Sequence, residues 1–252
     1  MPSKIDWTDE TWNPVTGCTK ISPGCAHCYA ENIAKRFWGS RPFSEIRCHE
    51  DRLGQPLRWR KPRRVFVCSM SDLFHPDVHG MFRLRVFGIM HQAAQHTFQV
   101  LTKRPEGLQH FVNEHGLWPE EDTRSPWFGT TPCGEDWPLP NVHIGVSAED
   151  QATARLRIPK LTETPLGVRW VSVEPMLGPV NLMPQLSALD WVVCGCESGP
   201  GARPMEIDWV RVLRDQCIET NTPFYLKQMM VDGKLRKMPE LDGRVWDQQP
   251  TL

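Results

Sequence analysis

The sequence predicts an α/β fold, a full or partial (β/α) barrel of parallel strands, on three observations. Six short apolar runs rich in β-branched residues recur along it, helical segments separate several of them, and polar groups come after every run. Near-continuous apolar runs are the mark of strands buried on both faces, and strands alternating with helices imply a parallel sheet.

In chain order, Asn13-Pro14-Val15-Thr16 is the expected first strand, feeding a Pro/Gly loop that holds three cysteines. From Ala30 to Trp38 the apolar positions Ile33, Ala34 and Phe37 recur at helical spacing. A basic, Pro/Gly-broken connection then runs from Gly39 to Arg64. The six apolar runs are Val65–Met70, Phe98–Thr102, Val142–Ser147, Val168–Val173, Trp191–Gly195 and Phe224–Leu226. Helices are expected over Met81–Ala94, Leu108–His115, Asp150–Leu156, and from a cap at Asp208 through Ile218, with Trp209, Leu213 and Cys217 on one stripe. A Pro/Trp-rich, acidic insertion at 116–141 interrupts the rhythm, and its aromatics favour packing over disorder. The end of the chain, 231–252, carries Asp232-Gly233 and Asp242-Gly243 turn signals and reads as a C-terminal cover. No domain boundary is visible, so 1–252 is expected to form a single barrel domain.

The functional clue lies in the residues at the end of each run. Ser69, Ser71 and Asp72 come after the first, Thr102-Lys103-Arg104 close the second, Ser147 and Glu149 the third, and Ser172 and Glu174 the fourth. Cys196-Glu197-Ser198 come after the fifth and Lys227-Gln228 after the sixth. In α/β barrels the C-terminal strand ends form the active face, where side chains from several strands converge. Each residue alone has a plain reading as a loop-start polar, but six in succession point to a pocket. The cysteine loop is expected at the same mouth.

That loop, Gly17 to Ala30, spaces Cys18, Cys25 and Cys28 as C-x6-C-x2-C. A C-x2-C pair offers two sulfurs from one turn, and three ligands leave a tetrahedral site one position short. A structural zinc would draw its fourth ligand from His27, Cys48 or His49. A four-iron cluster would keep one iron open to a small molecule, and unmetallated thiols are the bland alternative. Tight cysteine spacing in a reducing compartment favours a metal over a disulfide.

Composition narrows the classes. The chain has 252 residues, 40% of them hydrophobic, with 11 Trp and 10 Phe, enough for a sizeable core. A formal net charge of −1 excludes a general polycation. Nucleic acid, as a partner, would have to meet a local patch, and segment 38–64 offers one in its arginines with Trp38 and Trp59 between them. A solvated loop is the equal alternative. Nine cysteines, no apolar leader at the N-terminus and no run of membrane-spanning length lead to the expectation of a reduced, cytoplasmic protein without membrane contact. A metallohydrolase lacks an H-E-x-x-H motif.

Several stretches together resemble an uncharacterised, phage-associated, radical-SAM-like family. They are Trp12–Cys18 with Ser22–Glu31, Ser69–His75, Gln99–Pro105, Gly145–Glu149, Ser172–Pro175 with Leu177–Pro179, and Glu197–Met205. The resemblance spans nearly the whole chain. It implies a radical-SAM-like barrel with a [4Fe-4S] cluster on Cys18, Cys25 and Cys28, and S-adenosylmethionine on the fourth iron. An electron donor would drive cleavage to a 5′-deoxyadenosyl radical that abstracts hydrogen from a substrate. By analogy, Ser69, Ser71 or Asp72 would meet the methionine amino group and Lys103 or Arg104 its carboxylate, while Ser147, Glu149 or Glu174 would hold ribose or adenine. Lys103 and Glu174 also stand as catalytic candidates. The six-residue first gap departs from the common C-x3-C-x2-C and leaves zinc open. Cys194 and Cys196 read first as small buried thiols; the sharper reading makes Cys196 a hydrogen-atom donor. The competing function is a non-catalytic module, stabilised by zinc or a cluster, that binds nucleic acid or a protein.

Overall fold

The computed structural model describes residues 5–115 and 137–250, so most of the expected insertion lies outside the described residues. The chain begins with β1 (Glu10–Trp12), β2 (Val15–Thr16), a 3-10 turn at Pro23–Cys25, α1 (Tyr29–Phe37), β3 (Arg47–Cys48) and α2 (Glu50–Leu53). Next come β4 (Arg64–Val67), α3 (Gly80–Gln92), β5 (Thr97–Thr102), α4 (Pro105–His115), β6 (Val142–Ser147), α5 (Gln151–Glu163) and β7 (Val168–Val173). The last elements are β8 (Trp191–Gly195), α6 (Ile207–Glu219), β9 (Phe224–Val231), β10 (Lys234–Lys237), β11 (Glu240–Leu241) and β12 (Arg244–Val245).

The fold is α/β, with a mostly parallel sheet whose strand order is β1-β4-β5-β6-β7-β8-β9-β10. The chain forms two compact units that interleave along it instead of dividing at one linker. The first comprises Met1–Thr19, Ala30–Ile144 and Thr164–Val168; the second comprises Lys20–Tyr29, Gly145–Glu163 and Arg169–Leu252.

In the first unit β1, β4 and β5 are parallel, with Trp12 beside Val67 and Val65 beside Phe98. Trp12, Val65, Val67, Phe98 and Val100 are fully buried there, and Phe87 stacks on Phe111 at 4.9 Å. The expected first strand is displaced. Glu10–Trp12 joins the sheet instead, while Val15–Thr16 pairs antiparallel with Arg47–Cys48 in a separate small sheet. Pro14 has no N–H to give to a ladder, and the Asn13 side chain is occupied by Ser69 and the Met70 amide, so the chain leaves the sheet at Trp12.

In the second unit β7, β8 and β9 are parallel and β10 returns antiparallel to β9. Trp170 and Trp191, paired across β7 and β8 with ring centroids 5.2 Å apart, and Tyr225 on β9 fill its core. All four residues of β10 are exposed. Two hairpins make up the C-terminal cover. Their turns fall at Asp232-Gly233 (φ 50° and 71°) and Asp242-Gly243 (φ 55° and 76°), the left-handed pair that a two-residue hairpin loop favours.

Two helices differ from the sequence reading. α5 continues through Pro159 to Glu163. Asp150 opens it by accepting from the Thr153 amide at 2.8 Å. α6 starts at Ile207 with Glu206, whose side chain makes no cap bond, in the capping position, and the expected cap Asp208 lies inside the first turn, bonded by Arg211 at 2.9 Å. Among the described residues no helix is long and apolar enough to cross a membrane.

Candidate functional site

The segment Lys20–Tyr29 contains no buried residue, and its only regular structure before α1 is the single turn at Pro23–Cys25. Polar ties fix it within the second unit. Ser22 Oγ donates to Glu149 Oε1 at 2.7 Å, and Glu149, wholly buried two residues past the end of β6, accepts from Arg157 Nη1 on its other oxygen at 2.9 Å. The same Arg157 nitrogen donates to the Ser147 carbonyl at 2.8 Å. Gly24 is required by this packing, since a Cβ there would stand 2.2 Å from the Glu149 side chain. Ser22 Oγ is also 3.7 Å from Cys25 Sγ.

Three residues beyond Gly24 the arrangement repeats. His27 Nδ1 donates to Glu197 Oε2 at 2.9 Å, and Arg203 grips both oxygens of that carboxylate through its side chain and adds its backbone amide at 2.9 Å. Glu197 is buried just past β8. Burial alone would raise its pKa, but the hydrogen bonds from Arg203 and His27 prevail and hold it at about 2, against a usual 4.5. A carboxylate whose folded pKa is depressed stabilises the fold above its unfolded pKa, and that contribution fades as pH falls from 4.5 towards 2. We therefore expect the urea midpoint of the wild-type chain to drop more steeply over that interval than the midpoint of Glu197→Gln, with parallel curves counting against the assignment.

A third strand-end carboxylate, Glu174 after β7, accepts from Lys227 Nζ at 2.6 Å and from Gln228 Nε2 at 3.4 Å. Both members of the pair keep some solvent access, 16% for Glu174 and 18% for Lys227, unlike the sealed Glu149–Arg157 pair. Gln228 also donates to the Cys196 carbonyl at 2.8 Å. The Cys196 thiol is pushed up to about 11, first by burial and then by the Glu174 charge, so it stays protonated at neutral pH. Tyr29, next to Cys28, has its phenol pKa raised by the protein around its hydroxyl and then by Cys28 and Glu174, although the residue remains 47% exposed. The turn bearing Cys25 and Cys28 thus meets the C-terminal strand ends of its own unit.

Cys18 belongs to the first unit and also lies on the strand-end side. Gly17, with φ 99° and its would-be Cβ 2.2 Å from the Glu45 carbonyl, bridges to Ser71 just past β4. Arg104 Nη1 approaches Cys18 Sγ at 3.6 Å and Asp72 Oδ2 at 3.1 Å, while Nη2 donates to the Thr19 carbonyl and hydroxyl at 3.0 Å. Asp72 also accepts from Thr102 Oγ1 at 2.7 Å and from the Lys103 amide at 3.0 Å. Thr19 Oγ1 shares a hydrogen bond of 2.8 Å with His75 Nε2. Burial first, then the Arg104 charge, presses His75 towards its neutral form. Ser69 Oγ donates to Asn13 Oδ1 at 3.2 Å and Ser71 Oγ to the Val15 carbonyl at 2.9 Å, so both hydroxyls brace the approach to the cysteine loop.

The donor chemistry separates the cysteines. Cys18, Cys25 and Cys28 are half-buried, whereas Cys68, Cys194, Cys196 and Cys217 are sealed in the interior. Burial raises the pKa of each sealed thiol, to about 12 for Cys68 and Cys217. Cys18, Cys25 and Cys28 are thus each partly accessible and more open to ligation than the sealed thiols, and Cys18 has a guanidinium, that of Arg104, beside it. Among the described residues no three His, Cys, Asp or Glu side chains, Cys18, Cys25 and Cys28 included, group closely enough to hold a metal ion, and the zinc alternative has no support. His49, one of its candidate ligands, is bonded to Thr16 at 2.8 Å.

Most of the basic segment is committed inside the first unit. Arg41 bonds Thr16 and covers the Trp38 ring at 4.2 Å; Arg47 pairs with Glu45, Arg63 with Glu10 and Arg64 with Asp9. Arg58, Arg60 and Lys61 are exposed and make no ion pair among the described residues. A cavity of about 610 Å3 in the same unit lies between α3 and α4, lined by Phe74, His79, Arg83, Arg104, His110 and Phe111 among others.

The sequence marks the three strand-end glutamates and Lys227, but not the pairing of Lys227 with Glu174 nor the roles of Arg157 and Arg203. Arg203 and Lys227 stand in stretches that the sequence itself marks out, so charge complementarity to Glu197 and Glu174 was the available signal. Arg157 gave none, being one of several charges on a helix.

The profile of a family described as "Protein of unknown function (DUF5131)" matches residues 2–250. No curated protein matches the chain. Among solved structures, spore photoproduct lyase complexed with dinucleoside spore photoproduct is similar with a TM-score of 0.42 and 14% identity, over 82% of this chain and 60% of that one. The chain therefore spans less than two thirds of that protein, and the likeness decides nothing about activity.

Proposed function

We propose that this chain, which belongs to the DUF5131 family along all but its ends, is an iron–sulfur enzyme of radical S-adenosylmethionine type. Cys18, Cys25 and Cys28 would hold a [4Fe-4S] cluster, and an external donor would supply one electron per turnover. The observation that carries the reading is the turn of Cys25 and Cys28 standing against Glu149 and Glu197 at the strand ends, where barrel enzymes place their chemistry. When bound, the cluster and S-adenosylmethionine would supply reductive cleavage of the sulfonium. The protein's own groups do the remaining work. Arg104 lends positive charge to Cys18. Glu174 and Lys227, a strand-end pair in which both members keep solvent access, would receive the polar parts of a ligand, ribose hydroxyls at the carboxylate and a carboxylate at the ammonium. Lys103 remains a catalytic candidate beside Arg104. Cys196, held as a thiol, keeps the S–H that a hydrogen-atom donor needs. Arg58, Arg60 and Lys61 are the cations available to a polyanionic substrate such as nucleic acid.

Anaerobic reconstitution with iron and sulfide, then addition of dithionite and S-adenosylmethionine, tests the reading. We expect 5′-deoxyadenosine to accumulate, and a polynucleotide substrate to raise its rate. A reconstituted cluster that leaves S-adenosylmethionine intact would overturn the proposal.

A further inference from the structure

We infer that Glu149 and Glu197 are positioning residues for the cysteine turn, holding Cys25 and Cys28 in place before any metal arrives. The inference rests on the reading of those cysteines as ligands.

Ten residues, Lys20–Tyr29, bury no side chain, so apolar packing does little to fix them. The local bonds include the Cys25 amide to the Ser22 carbonyl at 2.9 Å, the Ala26 amide to the Pro23 carbonyl at 3.1 Å, and Lys20 Nζ to the Ala26 carbonyl at 3.2 Å. Ser22 and His27, on either side of Cys25, reach out of the segment, and each ends on a buried carboxylate, at 2.7 and 2.9 Å. Burying a carboxylate is costly unless it is paired, and each of these has its own arginine, Arg157 or Arg203. The arginines also cancel the negative charge that would otherwise oppose thiolates nearby. Gly24 completes the fit, because its missing Cβ is what lets the backbone close on Glu149. A loop that served only as a connection would need neither pair. A loop that must present two sulfurs from one turn needs both ends fixed, as outer partners of metal ligands commonly are.

Ser22→Ala and His27→Ala each remove one tie and leave its ion pair intact, so the fold survives; circular dichroism checks this. Hydrogen exchange of the Ala26–Tyr29 amides, measured on the metal-free chain, should rise ~10-fold or more in the double variant. Cobalt(II) affinity, monitored by thiolate-to-metal absorption, should fall ~10–100-fold, and Ser22→Thr should restore the Ser22 share. Unchanged exchange together with unchanged affinity would overturn the inference. If the wild-type chain binds neither cobalt nor iron, the ligand reading fails, and exchange alone then decides: faster exchange sustains the positioning role, unchanged exchange ends it.

Discussion

Arg157→Ala is expected to lower the unfolding free energy by about 3–5 kcal/mol, as a fall in the urea midpoint of the metal-free chain. The residue is 3% exposed and its partner Glu149 is fully buried, so the truncation removes the arginine that pairs a carboxylate in the interior. The Ser147 carbonyl loses its donor as well. Removing both charges tells a different story. Arg157→Met combined with Glu149→Leu should recover most of the loss, because the desolvation cost disappears with the charges. That double variant would nonetheless lose the anchor of Ser22 and hence the order of the cysteine turn. A single-variant cost below about 1 kcal/mol, the level of an exposed pair, would show that water reaches the pair and that Glu149 is no fixed point.

The second large effect concerns metal content. Under the proposed assignment, alanine at Cys18, Cys25 or Cys28 should reduce iron from about four per chain to nearly none after anaerobic reconstitution, since these three thiolates would be the cluster's protein ligands. Cys194→Ala and Cys196→Ala should keep full iron. Burial raises both thiols, Cys196 to about 11, and a protonated sulfur is a poor ligand. Iron analysis with the visible absorption spectrum distinguishes the two groups. Equal loss at Cys196 would move the metal site to the interior strand and refute the assignment.

The contrast between those cysteines was partly legible in the sequence, where close spacing set three apart and alternation put Cys194 and Cys196 on a strand. The strands were legible too. Val142–Ser147, Val168–Val173 and Trp191–Gly195 coincide with β6, β7 and β8, because strands covered on both faces leave an unbroken apolar run. Helix phase was harder. On α5 Leu156 is 56% exposed while its neighbour Arg157 is buried, the reverse of what apolar patterning implies. The helix is turned to deliver a guanidinium to Glu149, a tertiary demand that no local period encodes. The short sheet of β2 and β3 escaped notice for a similar reason: its two strands lie some thirty residues apart and are two residues long. The strand-end glutamates were found by position, yet two of the three carboxylates face the cysteine turn, while Glu174 itself keeps some exposure in its pair with Lys227.

The outer strand β10 has one last consequence. Its residues Lys234, Leu235, Arg236 and Lys237 all face water beside a backbone whose far side has no neighbouring strand among the described residues. Such a margin invites a second molecule to stitch on, and three cations in four positions repel the same margin of an identical copy. This charged hem works against edge-to-edge growth of the sheet at high concentration, independently of whatever the cysteines bind.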